Sequence, residues 1–276
     1  MLLFLALPIA GLLVGVPSGF FKEKFDVSSW KRWLILLSPF AVTPVLPLTG
    51  ALIAAGSLVV GQQLGASLVA VGLTGGIATG KSSVSQLFVK KGAEIVDADV
   101  IAREVVLPGR GAYNAIVKNF GTGVLHEKDK TLNRAKLGAI IFADPAKRKV
   151  LNACTHKFIM WEMFKQLVYQ RLIRRKRLVV FDAPLLFETN LLEHFCYPTI
   201  VVACSEKNEL VRLMKRDNLS LEDAQKRIQA QMKLHDKVQK ADLVIQNDGS
   251  LEDLLSYAEK ALERAATRVG AVKELH

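Results

Sequence analysis

Long stretches of this sequence carry no charge. None falls between Met1 and Phe21, and after Lys22-Glu23-Lys24-Phe25-Asp26 and the pair Lys31-Arg32 none returns until Lys81. Cysteine is scarce too. Cys154, Cys196 and Cys204 are too few and too irregularly spaced for a disulfide framework or a zinc site, and they read as small buried residues of a reducing compartment. None of the five histidines forms an HExxH or similar ligand pair, so the expected cation is a magnesium ion carried by a nucleotide. No H-x-G-H signature, internal repeat or low-complexity tract occurs. The basic run Arg174-Arg175-Lys176-Arg177 lacks the interleaved aromatics of a nucleic-acid stacking platform and reads as a solvated helix C-terminus. Nucleic acid is therefore not expected as a partner.

What is abundant is positive charge, a formal net of +11. That suits polyphosphate handling, but equally nucleic acid or anionic membrane, because net charge reports on partners only generically. From Ser67 onward apolar runs of strand length recur at Ser67–Leu73, Glu94–Val96, Leu178–Phe181, Thr199–Ala203 and Leu243–Ile245, separated by amphipathic helical stretches. This alternation predicts a parallel sheet covered by helices. Helix starts are expected at Ser205, at Ser220 with Asp223, and at Ser250 with Asp253. The long strandless stretch between the second and third runs predicts a helical subdomain over about residues 100–175.

Gly75, Gly80, Lys81 and Ser82 satisfy G-x-x-x-x-G-K-[ST] directly after an apolar strand and before a helical pattern. Such a loop turns successive N–H groups toward phosphate oxygens at a helix N-terminus, so Gly75, Gly76, Ile77, Ala78, Thr79, Gly80, Lys81, Ser82 and Ser83 are the expected nucleotide cradle. Lys81 is placed on the β- and γ-phosphates and the Ser82 hydroxyl on Mg²⁺. Asp97 and Asp99 close the second strand; each is either a helix cap or a carboxylate that orients an acceptor alcohol. Asp182 ends an apolar strand as a Walker B carboxylate does, holding magnesium, or else it caps the turn before Pro184. Arg212, Lys215 and Arg216 fall on one helical face, from which Arg216 is the candidate cation for a transferring phosphoryl group. Asn247, in Gln246-Asn247-Asp248-Gly249, borders an adenine or simply makes a turn.

Five blocks in register, "GLTGGIATGKS", "IVDADVIAREVV", "VVFDAPLLFE", "LMKRD" and "IQNDG", resemble the dephospho-coenzyme A kinase family over roughly Val69 to Leu262. The resemblance implies a P-loop α/β fold like that of nucleoside-monophosphate kinases, with a helical acceptor-binding subdomain and a lid at about 205–235. It implies ATP-dependent phosphorylation of the ribose 3′-hydroxyl of dephospho-coenzyme A, with Asp99 as base, Lys81 and Arg216 as catalytic cations, and Asp97 and Arg103 on the acceptor side. It also implies ATP with Mg²⁺, the metal held by Ser82 and Asp182, and Asn247 beside the nucleotide. The chain departs from the family at His156-Lys157, where members commonly have His-Pro, so His156 is given no role. With no adenylyltransferase signature, the upstream adenylyltransferase is expected on a separate chain. The alternatives are another P-loop small-molecule kinase, acting on shikimate or a nucleoside monophosphate, or a tethered module in which ATP binding regulates docking.

The domain division expected is a hydrophobic segment at 1–66 followed by the kinase domain at 67–276. Each of the two apolar segments is near the length of about twenty residues that spans a bilayer. Met1–Phe21 is expected to span, with its N-terminus outside. The second segment, which carries Pro39, Pro44 and Pro47, is expected at the interface or packed on the kinase, which faces the cytosol. The alternative is a soluble cytoplasmic kinase joined to foreign residues by a wrongly placed gene start. A secretory signal lacks its basic n-region here, and a mitochondrial presequence its arginines and serines.

Overall fold

The computed structural model describes residues 2–24, 48–189 and 192–275. They divide into two compact units, one made of Met1–Ile95 with Val168–His276 and the other of Val96–Leu167.

The first unit is built on a five-stranded sheet. Its strands are β1 (Ala70–Gly75), β2 (Glu94–Asp97), β3 (Val179–Asp182), β4 (Cys196–Ala203) and β5 (Leu243–Gln246), in the order β2-β3-β1-β4-β5. β1 pairs parallel with β3 on one side and β4 on the other, and β4 pairs parallel with β5. Every residue of β1, β3 and β4 is buried, which is why these strands read as continuous apolar runs rather than alternating ones. β1 lies at the middle of the sheet: the chain first fills the side holding β3 and β2 and then crosses β1 to lay β4 and β5 on the other side. Such a switch point opens a crevice at the carboxyl ends of the strands.

Helix α3 (Lys81–Lys90) follows β1 and buries Val84 and Phe88 against the core formed by Leu73, Val180, Ile200 and Val202. The long C-terminal helix, Leu251–Arg268, starts with a complete Ser250/Asp253 capping box and presents Leu254, Ala258, Ala261, Leu262 and Ala265 to the same core. Alanine on that stripe lets the helix lie close. The caps expected at Ser205 and Ser220 are also present, each hydroxyl accepting a backbone N–H three residues on.

β4 begins three residues earlier than its apolar pattern suggests. Ala70 pairs with Cys196 and Gly72 with Thr199, so β4 carries one extra residue across Tyr197-Pro198. This bulge lets a proline sit in a central strand without leaving a ladder acceptor empty.

Two helices precede the sheet, α1 (Leu2–Lys24) and α2 (Leu48–Ser67). They pack through small residues. A Cβ on Gly15 would lie 2.6 Å from the Leu58 carbonyl, and one on Gly61 2.9 Å from Gly15 Cα. Such close backbone approach is the packing that small-xxx-small spacing permits. Ile9, Leu13 and Leu52, all more than half exposed, face away from the seam. Phe20 meets Phe195 edge-on at 5.7 Å, just before β4. Among the described residues no helix is long and apolar enough to cross a membrane, so the spanning helix expected over Met1–Phe21 is not found. Hydropathy alone does not reveal that these segments pair with each other. The linker bearing Lys31, Arg32, Pro39, Pro44 and Pro47 lies outside the described residues.

The second unit is helical: α4 (Ala98–Glu104), α5 (Gly111–Phe120), α6 (Arg134–Ala143) and α7 (Pro145–Val168). Its core includes Ile101, Ala112, Ile116, Leu137, Cys154 and Met163. An isolated antiparallel bridge, Leu125 to Leu132, is the strand-like element described within it. Lys157 sits inside the unbroken α7 with its ammonium 5.0 Å from the Phe158 ring centre. His156 is exposed on the same helix.

Candidate active site

The loop between β1 and α3 has the conformation that phosphate binding requires. Gly80 caps α3 at φ 95°, a left-handed backbone open chiefly to glycine, and no side chain caps the helix there. The first N–H groups of α3 therefore remain for an anion, at the positive end of the helix dipole. Ala78 also has positive φ, 58°, which holds the loop in a local conformation of some strain. Thr79 is buried, and its hydroxyl donates to the Gly76 carbonyl at 3.0 Å. Ser82 is exposed on the first turn of α3.

Lys81, the first residue of α3, forms an ion pair with Asp182, the last residue of β3. Strand pairing sets Asp182 level with the end of β1, because Leu73 lies opposite it. The Asp182 side chain is 5% exposed and that of Lys81 17%. Asp182 is thus no turn cap for Pro184; its carboxylate lies beside the phosphate loop. One carboxylate and one hydroxyl match the few protein ligands by which Mg²⁺ is held when phosphates and water complete its shell. Among the described residues no cluster of three or more metal-binding side chains occurs.

Asn247 is buried behind the loop, its amide donating to the Thr79 carbonyl at 2.8 Å. It therefore holds the loop backbone directly. Asp248 ties the same turn to α8 (Glu206–Asp217): it accepts from the Ser205 N–H at 2.7 Å and from the Asn208 amide at 2.8 Å. Those bonds, the Ser205 N–H foremost, hold its carboxyl well below the usual carboxylate range.

The three cations expected on one face of α8 (Glu206–Asp217) differ in what they meet. Arg212 donates to the Asn247 carbonyl at 2.9 Å, while Lys215 and Arg216 are exposed. Arg216 forks onto its neighbour Asp217, through Nε at 2.8 Å and Nη2 at 3.2 Å, and Asp217 also receives Arg227 at 2.7 Å from α9 (Leu221–Gln229). The Asp217 hydrogen bond raises the Arg216 pKa further.

In the second unit, Asp97 caps α4. Its carboxylate accepts from the N–H groups of Asp99 at 2.8 Å and Val100 at 3.0 Å. Asp99 is exposed in the first turn of that helix, and Arg103 is exposed one turn later. Both residues therefore share the face that four-residue spacing gives.

Two residues that brace the loop, Glu209 and Lys237, escape sequence reasoning. Glu209 is 4% exposed, beside Gly76 and the Ile77 N–H; burial, the largest influence, raises its pKa against the pull of that N–H and of Lys237. Lys237, on α10 (Leu234–Lys240), is fully buried and pairs with Glu188. Cys204 lies nearby, its thiol pushed up to about 11 by burial and by Glu209, which favours the protonated thiol.

The family model described as dephospho-CoA kinase matches residues 69–253. A dephospho-CoA kinase of Bacillus cereus is 46% identical over 196 residues, 71% of this chain and 96% of that protein. A dephospho-CoA kinase of Arabidopsis thaliana is 44% identical over 196 residues, covering 70% and 82%. A zebrafish protein named for a dephospho-CoA kinase domain is 49% identical over 183 residues, covering 66% and 79%. Among solved structures, TT1252 from Thermus thermophilus superposes with a TM-score of 0.59 at 31% identity, covering 71% of this chain and 96% of that one.

Proposed function

Because the chain belongs to the dephospho-CoA kinase family and phosphorylates dephospho-coenzyme A with ATP to give coenzyme A, we propose roles for its residues in that reaction. The observation that carries the assignment is the Lys81–Asp182 pair beside an uncapped helix N-terminus at the centre of the sheet. The residues from Gly75 to Ser83 bind the ATP phosphates. Lys81 turns from Asp182 to the β- and γ-phosphates, and the N–H groups at the start of α3 share their charge. Ser82 and Asp182 hold Mg²⁺, which supplies further neutralisation of the phosphate oxygens when bound. Asn247 keeps the loop carbonyls turned away from the nucleotide.

On the acceptor side, Asp99 orients the ribose 3′-hydroxyl and takes its proton as the oxygen attacks the γ-phosphorus, while Arg103 binds the acceptor. Asp97 acts through Asp99, by fixing the turn that carries it. Arg216 leaves Asp217 to stabilise the charge on the transferring phosphoryl group. The helical unit Val96–Leu167 supplies the acceptor subdomain, and the segment around α8 and α9 the lid. With purified chain, ATP and Mg²⁺, phosphorus NMR of the product is expected to show a new monoester on the ribose 3′ oxygen; a monoester elsewhere would contradict the reading.

A second proposal concerns α1 and α2. Ile9, Leu13, Val14, Leu52, Val59 and Val60 leave an apolar outer surface on a pair whose inner faces are already used against each other. We propose that this surface rests in the interfacial layer of a membrane, with the kinase in the ATP-bearing compartment. The full chain should float with phosphatidylcholine–phosphatidylserine vesicles, and Leu13→Glu with Leu52→Glu should abolish flotation. Wild-type chain remaining at the bottom of the gradient would sink this proposal.

A further inference from the structure

Glu188 ends the "PLLFE" block, which the reaction scheme above leaves without a task, and Lys237 lies in a stretch, "KLHDKVQK", that reads as solvated helix. In the fold they meet. The Lys237 ammonium is fully buried and all three of its protons are engaged: by Glu188 Oε1 at 2.8 Å, the Pro184 carbonyl at 2.9 Å and the Gly75 carbonyl at 3.2 Å. Gly75 is the first glycine of the phosphate loop. Pro184 follows the turn out of β3, two residues beyond Asp182. Thr74 adds a second tie to that turn, its hydroxyl donating to the Pro184 carbonyl at 3.1 Å.

Glu188 Oε1 also accepts the Met232 N–H at 3.2 Å, on the segment between α9 and α10. Its other oxygen, Oε2, is buried with no partner among the described residues. A half-satisfied buried pair is a poor source of stability, since apolar residues of similar volume often serve as well or better. Geometry gives the pair a different value. One ammonium fixes, at a single point, the carbonyl that starts the phosphate loop and the turn that carries Asp182, and its counter-ion fastens the chain just after α9. Glu209 braces the next two residues of the loop from the same side.

We propose that Glu188 and Lys237 are positioning residues for phosphoryl transfer, which hold the phosphate loop in register with Asp182 and tie both to the chain just after α9. The inference rests on the kinase reading. It requires that losing the pair disturbs the nucleotide side of the reaction and spares the acceptor side.

The test compares wild type with Lys237→Met, Glu188→Gln and the double variant, measuring Tm, the ATP dissociation constant, and kcat/KM for ATP and for dephospho-coenzyme A at saturating partner. Glu188→Gln keeps the shape and an acceptor for Met232, so it is expected to fold. Because small misplacements of reacting groups cost rate steeply, each variant should lose about tenfold or more in kcat and bind ATP more weakly, with KM for dephospho-coenzyme A unchanged. The double variant should be no worse than Lys237→Met, since both residues act as one unit. Should Lys237→Met fail to fold, Glu188→Gln alone carries the comparison. Variants with lowered Tm but wild-type kcat and ATP affinity in the folded fraction would reduce the pair to a structural role and overturn the proposal. If wild type binds ATP but leaves dephospho-coenzyme A unphosphorylated, the kinase reading fails, and the ATP dissociation constants still decide the role of the pair.

Discussion

Replacing Lys81 by alanine is expected to lower turnover by on the order of a hundredfold or more, because phosphoryl transfer depends on positioning and charge stabilisation rather than on covalent help from the protein. The fold brings this lysine to the centre of the sheet, against a carboxylate only 5% exposed. The same substitution leaves Asp182 without its partner, so Tm should fall as well. The two effects separate cleanly. Turnover per folded molecule reports the catalytic loss, and adding Asp182→Asn to Lys81→Ala should recover Tm without recovering turnover. Retention of more than about a tenth of wild-type turnover by folded Lys81→Ala would contradict the role given to it.

Asp99→Asn is expected to cost about a hundredfold to ten-thousandfold in kcat, the usual range for loss of a general base, with ATP affinity unchanged. The structure sharpens this expectation. In the sequence either Asp97 or Asp99 can be read as the cap, Asp97 the more readily, and it is the Asp97 carboxylate that accepts both N–H groups of the first turn. Asp97→Ala should therefore cost about 1 kcal/mol of stability, the usual value of a lost cap, with kcat little changed in the folded fraction, whereas Asp99→Asn should show its main effect in kcat. Thermal melts and steady-state rates of the two variants, compared side by side, check the division. If Asp99→Asn lowers Tm and spares kcat in the folded fraction, the residue is structural.

The phosphate loop is legible in the sequence because its requirements are local: a buried strand, a glycine with positive φ and a lysine at the first turn all fall within one short run. The cap at Ser220 and the capping box at Ser250 are legible for the same reason. Lys237 and Glu188 are not. Charged residues in a polar stretch ordinarily signal solvent, and only strand order and the close packing of α10 bring that ammonium under Gly75. The partner of Arg212 is not legible either, because helical spacing gives a face but not what that face meets; the Asn247 carbonyl supplies it. The start of β4 is hidden by Pro198, which a bulge accommodates. At the N-terminus, hydropathy records two apolar segments but not the glycine-lined seam through which they bury one another.

The choice of acceptor bears most directly on the whole account. Initial rates of ADP release from Mg-ATP, measured with the purified full chain, should give a kcat/KM for dephospho-coenzyme A that exceeds those for AMP and for shikimate by at least about a thousandfold, since a site that hydrogen-bonds its own acceptor rejects analogues lacking the matching groups. Comparable values for a nucleoside monophosphate or for shikimate would contradict it.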